Sequence, residues 1–328
     1  MSKLGLWWIN WDESLGGYES RMTLEGRGPT SYYEVVQWFK DRGFDRVVFL
    51  GGEGKRINYT GDGYEDGRYL ALWIMSHVDS IKYYITIPFS YGNGELRDDP
   101  SKGFANSYWK KWIDGVLSVF DSNRLGFYWS YESCLQATTD DPALKVLGIN
   151  DNQKEQYKEA YIQFIEDMSN YIHDHVQELI WIPATGTRSA EYLKNNSGIP
   201  VISEHFDYVF VQPNYYQYNS TYTYEKLVEK IRWICEDLPG NINNPNTTIS
   251  IEMEADSAVL LGQCGHCASC RYENNHCVWC DNEKCLERAC DYSRAIMEVN
   301  PSAFPTRAYY FGTDLRVIDG VREKCQGW

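Results

Sequence analysis

Three glutamates follow two apolar runs of the sequence, where their carboxyl groups could act together. Residues 125–132 read LGFYWSYE and end on Glu132, and residues 248–256 read TISIEMEAD and contain Glu252 and Glu254. Glycoside hydrolysis needs two carboxyl groups, one to donate a proton to the leaving oxygen and one to attack the anomeric carbon or activate water. The sequence predicts Glu132 as the acid/base and Glu252 as the nucleophile, with Glu254 as the rival nucleophile.

The direction of the two later glutamates follows from strand geometry. Period-two alternation places Ile249, Ile251 and Met253 on one face of the strand and Glu252 and Glu254 on the other. The apolar face should pack under helices, so the glutamates are expected to point into a barrel mouth. Carboxyl groups are costly to place there unless something uses or satisfies them. The alternative is that these acids cap helices or pair with arginines at the rim.

Aromatic and amide side chains also lie in or near the ends of other apolar runs of the sequence, and such side chains are typical of a sugar-binding site. Sugars present apolar C–H faces that stack on aromatic rings, and hydroxyl groups that need polar partners. Aromatic residues make up 15% of the chain. For any single ring, the alternative to sugar binding is therefore packing in the hydrophobic core. The predicted substrate-binding residues are Asn10, Asp12, Tyr128, Gln212, Asn214, Tyr215 and Asp256.

The elements that must position these residues are short apolar runs separated by helical patterns. Alternation of this kind favours a parallel sheet with crossover helices, and eight strands in 328 residues favour a closed (β/α)₈ TIM barrel over an open doubly wound sheet. Catalytic side chains of such barrels lie at the carboxyl ends of the strands. We expect one barrel domain over residues 1–328. The runs are 4–11, 46–50, 82–89, 125–130, 179–183, 208–212, 248–253 and 308–311.

A cysteine-rich insertion is expected at residues 262–292, between strand 7 and the last helix, and it holds seven of the ten cysteines. The spacing suits either a structural zinc site or disulfides. An odd number leaves one cysteine free or paired with Cys134, Cys235 or Cys325. Neither interpretation makes a metal catalytic, and no cofactor is expected for catalysis. The candidate ligands are Cys264, Cys267, Cys277 and Cys280.

Charge and composition narrow the possible partners. Thirty-one Lys and Arg residues against 46 Asp and Glu residues give a net charge of −15. Without a cationic stripe the chain is not expected to bind nucleic acid, and without a long apolar stretch it is not expected to span a membrane. The amino terminus shows no signal peptide. We expect a secreted or extracellular protein if the cysteines form disulfides, and a cytoplasmic one otherwise.

Five sequence blocks resemble the domain of unknown function 4855 family and come in the order of that family. The resemblance implies a barrel related to glycoside hydrolases and implies no substrate. The blocks are 126–129 (GFYW) with Glu132, 181–183 (WIP), 212–215 (QPNY), 252–254 (EME) and 309–312 (YYFG).

The sequence therefore predicts a glycoside hydrolase that acts on a poly- or oligosaccharide with retention of configuration. A non-catalytic carbohydrate-binding or assembly protein on the same barrel is the alternative. A polysaccharide lyase is a weaker third possibility, because a chain of charge −15 disfavours a polyanionic substrate. The pattern gives no indication of the oligomeric state.

Overall fold

Eight parallel strands form the centre of this computed structural model, which describes residues 2–51, 59–218 and 221–328. All eight predicted runs are strands. The strands of the described residues are β1 (Ser2–Asp12), β2 (Gly17–Ser20), β3 (Arg46–Leu50), β4 (Lys82–Ile87), β5 (Arg124–Trp129), β6 (Glu178–Trp181), β7 (Tyr208–Val211), β8 (Thr248–Glu254), β9 (Cys270–Glu273), β10 (His276–Cys280) and β11 (Thr306–Tyr310).

The sheet closes on itself because its first and last parallel strands pair. β1 lies parallel to β11, with Ser2 opposite Thr306 and Gly5 opposite Tyr309. The order around the barrel is β1, β3, β4, β5, β6, β7, β8 and β11. Closure confirms the predicted (β/α)₈ barrel and excludes the open sheet. The outer end of β1 continues into an antiparallel hairpin with β2.

Helices connect successive barrel strands, as parallel pairing requires. No helix among residues 2–51, 59–218 and 221–328 is long and apolar enough to cross a bilayer. The helices are α1 (Tyr32–Asp41), α2 (Gly63–His77), α3 (Tyr108–Leu117), α4 (Pro142–Val146), α5 (Lys154–Asp174), α6 (Ala190–Asn196), α7 (Ile199–Ile202), α8 (Tyr224–Arg232), α9 (Asn282–Val299) and α10 (Arg316–Lys324).

Period-two alternation sorts the strand residues into two cores. Ile251, Met253 and Trp129 belong to the large core between strands and helices. Tyr128 and Phe210 belong to a smaller core inside the barrel. The outward direction predicted for the apolar residues of β8 is therefore confirmed, and its alternate residues face the barrel interior.

The cysteine-rich segment differs from the prediction at its carboxyl-terminal boundary. Residues 282–292 begin helix α9, because the side chain of Asp281 caps the helix by accepting from the Lys284 N–H. The inserted part is thus residues 262–281, with the hairpin of β9 and β10. It precedes α9 and not the last helix, since α10 follows β11.

Four disulfides are present among the described residues. Three lie in or next to the inserted part, and the fourth ties α9 to the residue after α10. The odd cysteine of the sequence pattern therefore finds its partner in Cys325. The pairs are Cys264–Cys277, Cys267–Cys285, Cys270–Cys280 and Cys290–Cys325.

The strands β5 and β6 approach each other closely at Gly126, so a substitution at this residue tests their packing in the barrel. A Cβ atom at Gly126 would lie 1.9 Å from the carbonyl oxygen of Glu178. We expect Gly126→Ala to lower the free energy of unfolding by about 1–3 kcal/mol or more, because backbone atoms must move. Denaturant unfolding measures the change. Gly240→Ala is the matched control, because no atom lies within 4 Å of its Cβ position; equal stability of the two variants would contradict the close approach.

Candidate active site

The carboxyl ends of all eight barrel strands surround one cavity of about 540 Å³, which we call the central cavity. This volume is within the range of about 300–1,000 Å³ that small-molecule sites occupy. Each strand contributes a residue in its carboxyl-terminal half or just after its carboxyl end. These residues are Trp8, Leu50, Thr86, Ser130, Ala184, Gln212, Glu252 and Tyr310.

Glu252 points into the central cavity from β8 and has no hydrogen-bonding partner among the described residues. Its strand is held on both sides, with Ile251 opposite Val211 of β7 and Glu252 opposite Ala308 of β11. The side chain is 2% exposed and makes no hydrogen bond to any described residue. Burial, reinforced by nearby carboxylates, raises the pKa of Glu252 well above its usual range. The structure thus favours the protonated form of this carboxyl group.

Glu132 lines the same cavity from the loop after β5. The Ala184 N–H donates to its backbone oxygen at 2.6 Å and fixes the loop. Its carboxylate oxygens accept hydrogen bonds from the Tyr128 hydroxyl at 2.6 Å and from the Gln212 amide at 3.0 Å. Burial raises the pKa of Tyr128 well above its usual range, so the phenol remains a donor. Two donors favour the charged carboxylate.

Glu254 lies behind the cavity and not in its wall. The side chain is fully buried, and its oxygens accept from Asn214 at 3.0 Å and from the Tyr292 hydroxyl. Burial raises the pKa of Glu254 to about 7, although these donors and the charge of Lys230 act in the opposite direction. Asn214 also donates to Gln212 at 3.1 Å. Glu254 therefore connects through two amides to Glu132.

A buried lysine joins the loops that carry these amides. Lys230 of α8 is 1% exposed and donates to Thr185 Oγ1 at 3.0 Å, to the Gly186 oxygen at 2.8 Å and to the Pro213 oxygen at 3.0 Å. Burial lowers the pKa of Lys230 to about 7, while the charge of Glu254 acts against this shift. Lys230 therefore links the loop after β6 to the loop after β7.

Three of the predicted substrate-binding residues lie at the central cavity or support it. Gln212 and Asn214 line the cavity. Tyr128 is buried beneath Glu132 and acts on it through the hydrogen bond. The structure thus brings these residues together with Glu132 and Glu252.

Four other predicted residues lie elsewhere. Asn10 and Asp12 are on the part of β1 that pairs with β2; Asn10 donates to Glu19 at 2.6 Å and Asp12 accepts from Ser14. Tyr215 is turned towards α9, where it donates to Asp291 at 2.8 Å. Asp256 accepts from the Tyr216 hydroxyl at 2.8 Å and from the His266 N–H. Asp256 lines a neighbouring chamber and not the central cavity.

Tyr310 is a cavity residue that the sequence reasoning did not select. It ends β11, opposite Glu254 of β8, and its hydroxyl has no hydrogen-bonding partner among the described residues. Burial and the charges of Asp256, Glu252 and the other carboxylates raise the pKa of Tyr310, which keeps the phenol protonated. The strand alternation that selected Glu252 would also have selected Tyr310.

The four predicted zinc ligands are divided between two groups of sulfur atoms. Cys264, Cys277 and Cys280 form one group, whose atoms lie within 4.8 Å of one another, and Cys267 belongs to the other with Cys270 and Cys285. The structure pairs all of them as disulfides. The zinc site stays a prediction.

A relative of similar length covers most of the chain. An uncharacterized protein of Methanocaldococcus jannaschii is 28% identical over an alignment of 340 residues, which covers 88% of this chain and 85% of the relative. No protein-family model matches the chain. The resemblance to the domain of unknown function 4855 family stays a prediction.

Solved structures with distant similarity of shape include three enzymes. A chitinase from Chromobacterium violaceum has a TM-score of 0.46 at 11% identity, covering 98% of this chain and 99% of that one. A β-glucosidase from Thermotoga maritima has a TM-score of 0.49 at 8% sequence identity, and the match covers 86% of this chain and 76% of that one. The spore cortex-lytic enzyme SleL of Bacillus megaterium has a TM-score of 0.49 at 11% sequence identity, and the match covers 99% of this chain and 74% of that one.

The buried carboxyl of Glu252 should make stability depend on pH. Its pKa is higher in the folded than in the unfolded chain, so the folded state binds the extra proton and stability falls as pH rises from the ordinary value of 4.5 to the raised value. We expect Glu252→Gln to match the wild type at pH 4 and to have a higher melting temperature at pH 8.

Thermal unfolding across this pH range measures the effect. Glu13→Gln is the control, because Glu13 is exposed and should leave the pH profile unchanged. If the profiles of Glu252→Gln and the wild type coincide, Glu252 is not a buried acid without a partner.

Proposed function

We propose that this protein is a glycoside hydrolase that acts on uncharged oligo- or polysaccharides, with Glu132 and Glu252 as its catalytic pair. The observation that carries the proposal is the contrast between the two carboxyl groups. Both line the central cavity, but within the described part of the chain Glu252 has no donor, whereas Glu132 accepts from Tyr128 and Gln212. Titratable pairs whose surroundings differ in this way are typical of acid–base chemistry.

The surroundings of the two groups favour a division of roles opposite to the one suggested by the sequence pattern. The protonated Glu252 donates its proton to the glycosidic oxygen as the bond to the anomeric carbon breaks. The carboxylate of Glu132 attacks that carbon and forms a glycosyl ester. Glu252, now charged, removes a proton from water, which hydrolyses the ester and restores both groups. Two displacements retain the anomeric configuration.

The lining of the central cavity favours a neutral substrate. No Lys or Arg is among its described lining residues, which include two carboxyl groups, three amides and the rings of Trp8 and Tyr310. A uronate would bring negative charge towards the carboxyl groups of the cavity, and no cation among the described lining residues offsets it. Aromatic faces and amides suit uncharged sugars.

The four disulfides favour an oxidising location. Such bonds persist mainly in secreted and extracellular proteins. We therefore place the proposed enzyme outside the cytoplasm, where polymeric glycans are accessible to it.

Loss of either carboxyl should abolish turnover without abolishing binding. We expect Glu132→Gln and Glu252→Gln each to lower kcat by at least about 10²–10⁴-fold, the usual contribution of one acid or base. The measurement is hydrolysis of a panel of neutral aryl glycosides and oligosaccharides, with binding followed by calorimetry.

Glu178→Gln is the matched control for this test. Glu178 begins β6 at the opposite end of the barrel and accepts from the Tyr84 hydroxyl inside it. A similar loss of turnover in Glu178→Gln would point to damage of the barrel. Binding by the wild type without turnover of any glycan would favour a carbohydrate-binding protein instead.

Trapping of the covalent intermediate should identify the nucleophile. We expect a 2-deoxy-2-fluoro glycosyl fluoride of the preferred sugar to label Glu132, because its carboxylate is charged and faces the cavity. Peptide mass spectrometry locates the label. A label on Glu252 would restore the roles suggested by the sequence pattern, and inversion of the product's configuration would contradict the two-step mechanism.

A further inference from the structure

A second chamber of about 330 Å³ adjoins the central cavity. Trp8 and Tyr310 line both spaces, so the two chambers lie side by side. The far wall of the second chamber is the start of the cysteine-rich segment, residues 264–266. The proposed catalytic pair does not use this space.

The lining of the second chamber has the mixed character of a sugar site. The rings of Trp8 and Tyr310 lie beside the polar side chains of His266, Thr313 and Asp314. The indole N–H of Trp8 is buried and has no acceptor among the described residues. This N–H is therefore an unsatisfied polar atom of a residue that borders both chambers.

Direct backbone contact fixes the cysteine-rich wall to the barrel. The carboxylate of Asp256, just after β8, accepts from the His266 N–H. A Cβ atom at Gly265 would lie 2.2 Å from the same carboxylate, so a side chain there would have to displace it. The Ala268 N–H donates to the Tyr216 oxygen at 2.9 Å. The segment is thus seated on the ends of β7 and β8.

Disulfides hold the same wall in place from the other side. Cys264, which lines the second chamber, is bonded to Cys277 of β10, and Cys267 is bonded to Cys285 of α9. A site that is fixed before binding loses less conformational freedom when its ligand arrives. The cross-links therefore suit a wall that contacts substrate.

We propose that the second chamber binds a further sugar residue of the substrate chain, so that an oligosaccharide extends from the two glutamates to the cysteine-rich segment. This inference rests on the proposed hydrolase function, because that function sets the direction in which the oligosaccharide runs from the two glutamates. It assigns the cysteine-rich segment a role in the choice of substrate length.

Chain-length dependence of hydrolysis tests the second chamber. For the preferred neutral sugar, kcat/KM of the wild type should rise about tenfold or more from the aryl monosaccharide to the trisaccharide. Thr313→Trp fills the second chamber and should reduce this ratio towards one. Phe120→Trp is the control, because Phe120 is 85% exposed just before β5, at the other end of the barrel, and its ratio should equal that of the wild type.

Footprinting of His266 gives a readout that needs neither turnover nor a variant. Diethyl pyrocarbonate modifies exposed imidazoles, and His266 and His276 are both exposed. Cellopentaose, chitopentaose, xylopentaose and maltopentaose are added one at a time, and modification is measured by peptide mass spectrometry. At least one of them should protect His266 severalfold and leave His276 unchanged.

The outcomes separate this inference from the proposed function. An equal ratio in Thr313→Trp and the wild type, or no protection of His266 by any pentasaccharide, would overturn the second chamber as a sugar site. Absence of hydrolysis by the wild type would overturn the proposed function alone, because protection of His266 would still support sugar binding in the chamber.

Discussion

The site depends on a carboxyl group that is held inside the barrel without a donor. Burying such a group is unfavourable unless it is neutral, and the negative charges of Glu132 and Glu254 make ionisation of Glu252 harder still. Neither Glu252 nor Glu254 forms an ion pair with an arginine among the described residues. The arrangement thus reduces the stability of the fold at the position where the proposed mechanism needs a proton donor. This trade between stability and function is common at catalytic sites.

Strand alternation made half of the site predictable from the sequence. The inward direction of Glu252 follows from its place between Ile251 and Met253, and the structure agrees because β8 is paired on both sides. The eight strands could be found since each is a short apolar run. The same reasoning failed at Asn10 and Asp12, because β1 runs past the barrel rim into its hairpin with β2.

Partners from distant elements were beyond sequence reasoning. Glu254 resembles Glu252 in the strand pattern, yet it is covered by Tyr292, which lies 38 residues further on in α9. The cysteine spacing left zinc and disulfides open for the same reason. Pairing of β9 with β10 places Cys270 opposite Cys280, and the fold of α9 brings Cys285 to Cys267. These contacts are set by the tertiary fold.

The buried polar network gives each amide of the site one orientation. A backbone N–H can only donate, so the Gly186 N–H at 2.8 Å makes the Asn214 oxygen an acceptor. The Asn214 nitrogen must then face Glu254 and the Gln212 oxygen. That leaves the Gln212 nitrogen to donate to Glu132. A satisfied network of this kind is rigid.

Glu254 therefore supports Glu132 through this network without reaching the central cavity. The hydroxyl of Tyr292 accepts from the backbone N–H groups of Tyr215 and Tyr216, so its own hydrogen is left for Glu254. Helix α9 thus fixes one end of the network, and the Gly186 N–H of the loop after β6 fixes Asn214 in its middle. Because α9 is also bonded to the cysteine-rich segment through Cys285, one helix supports both the hydrogen-bond network and the wall of the second chamber.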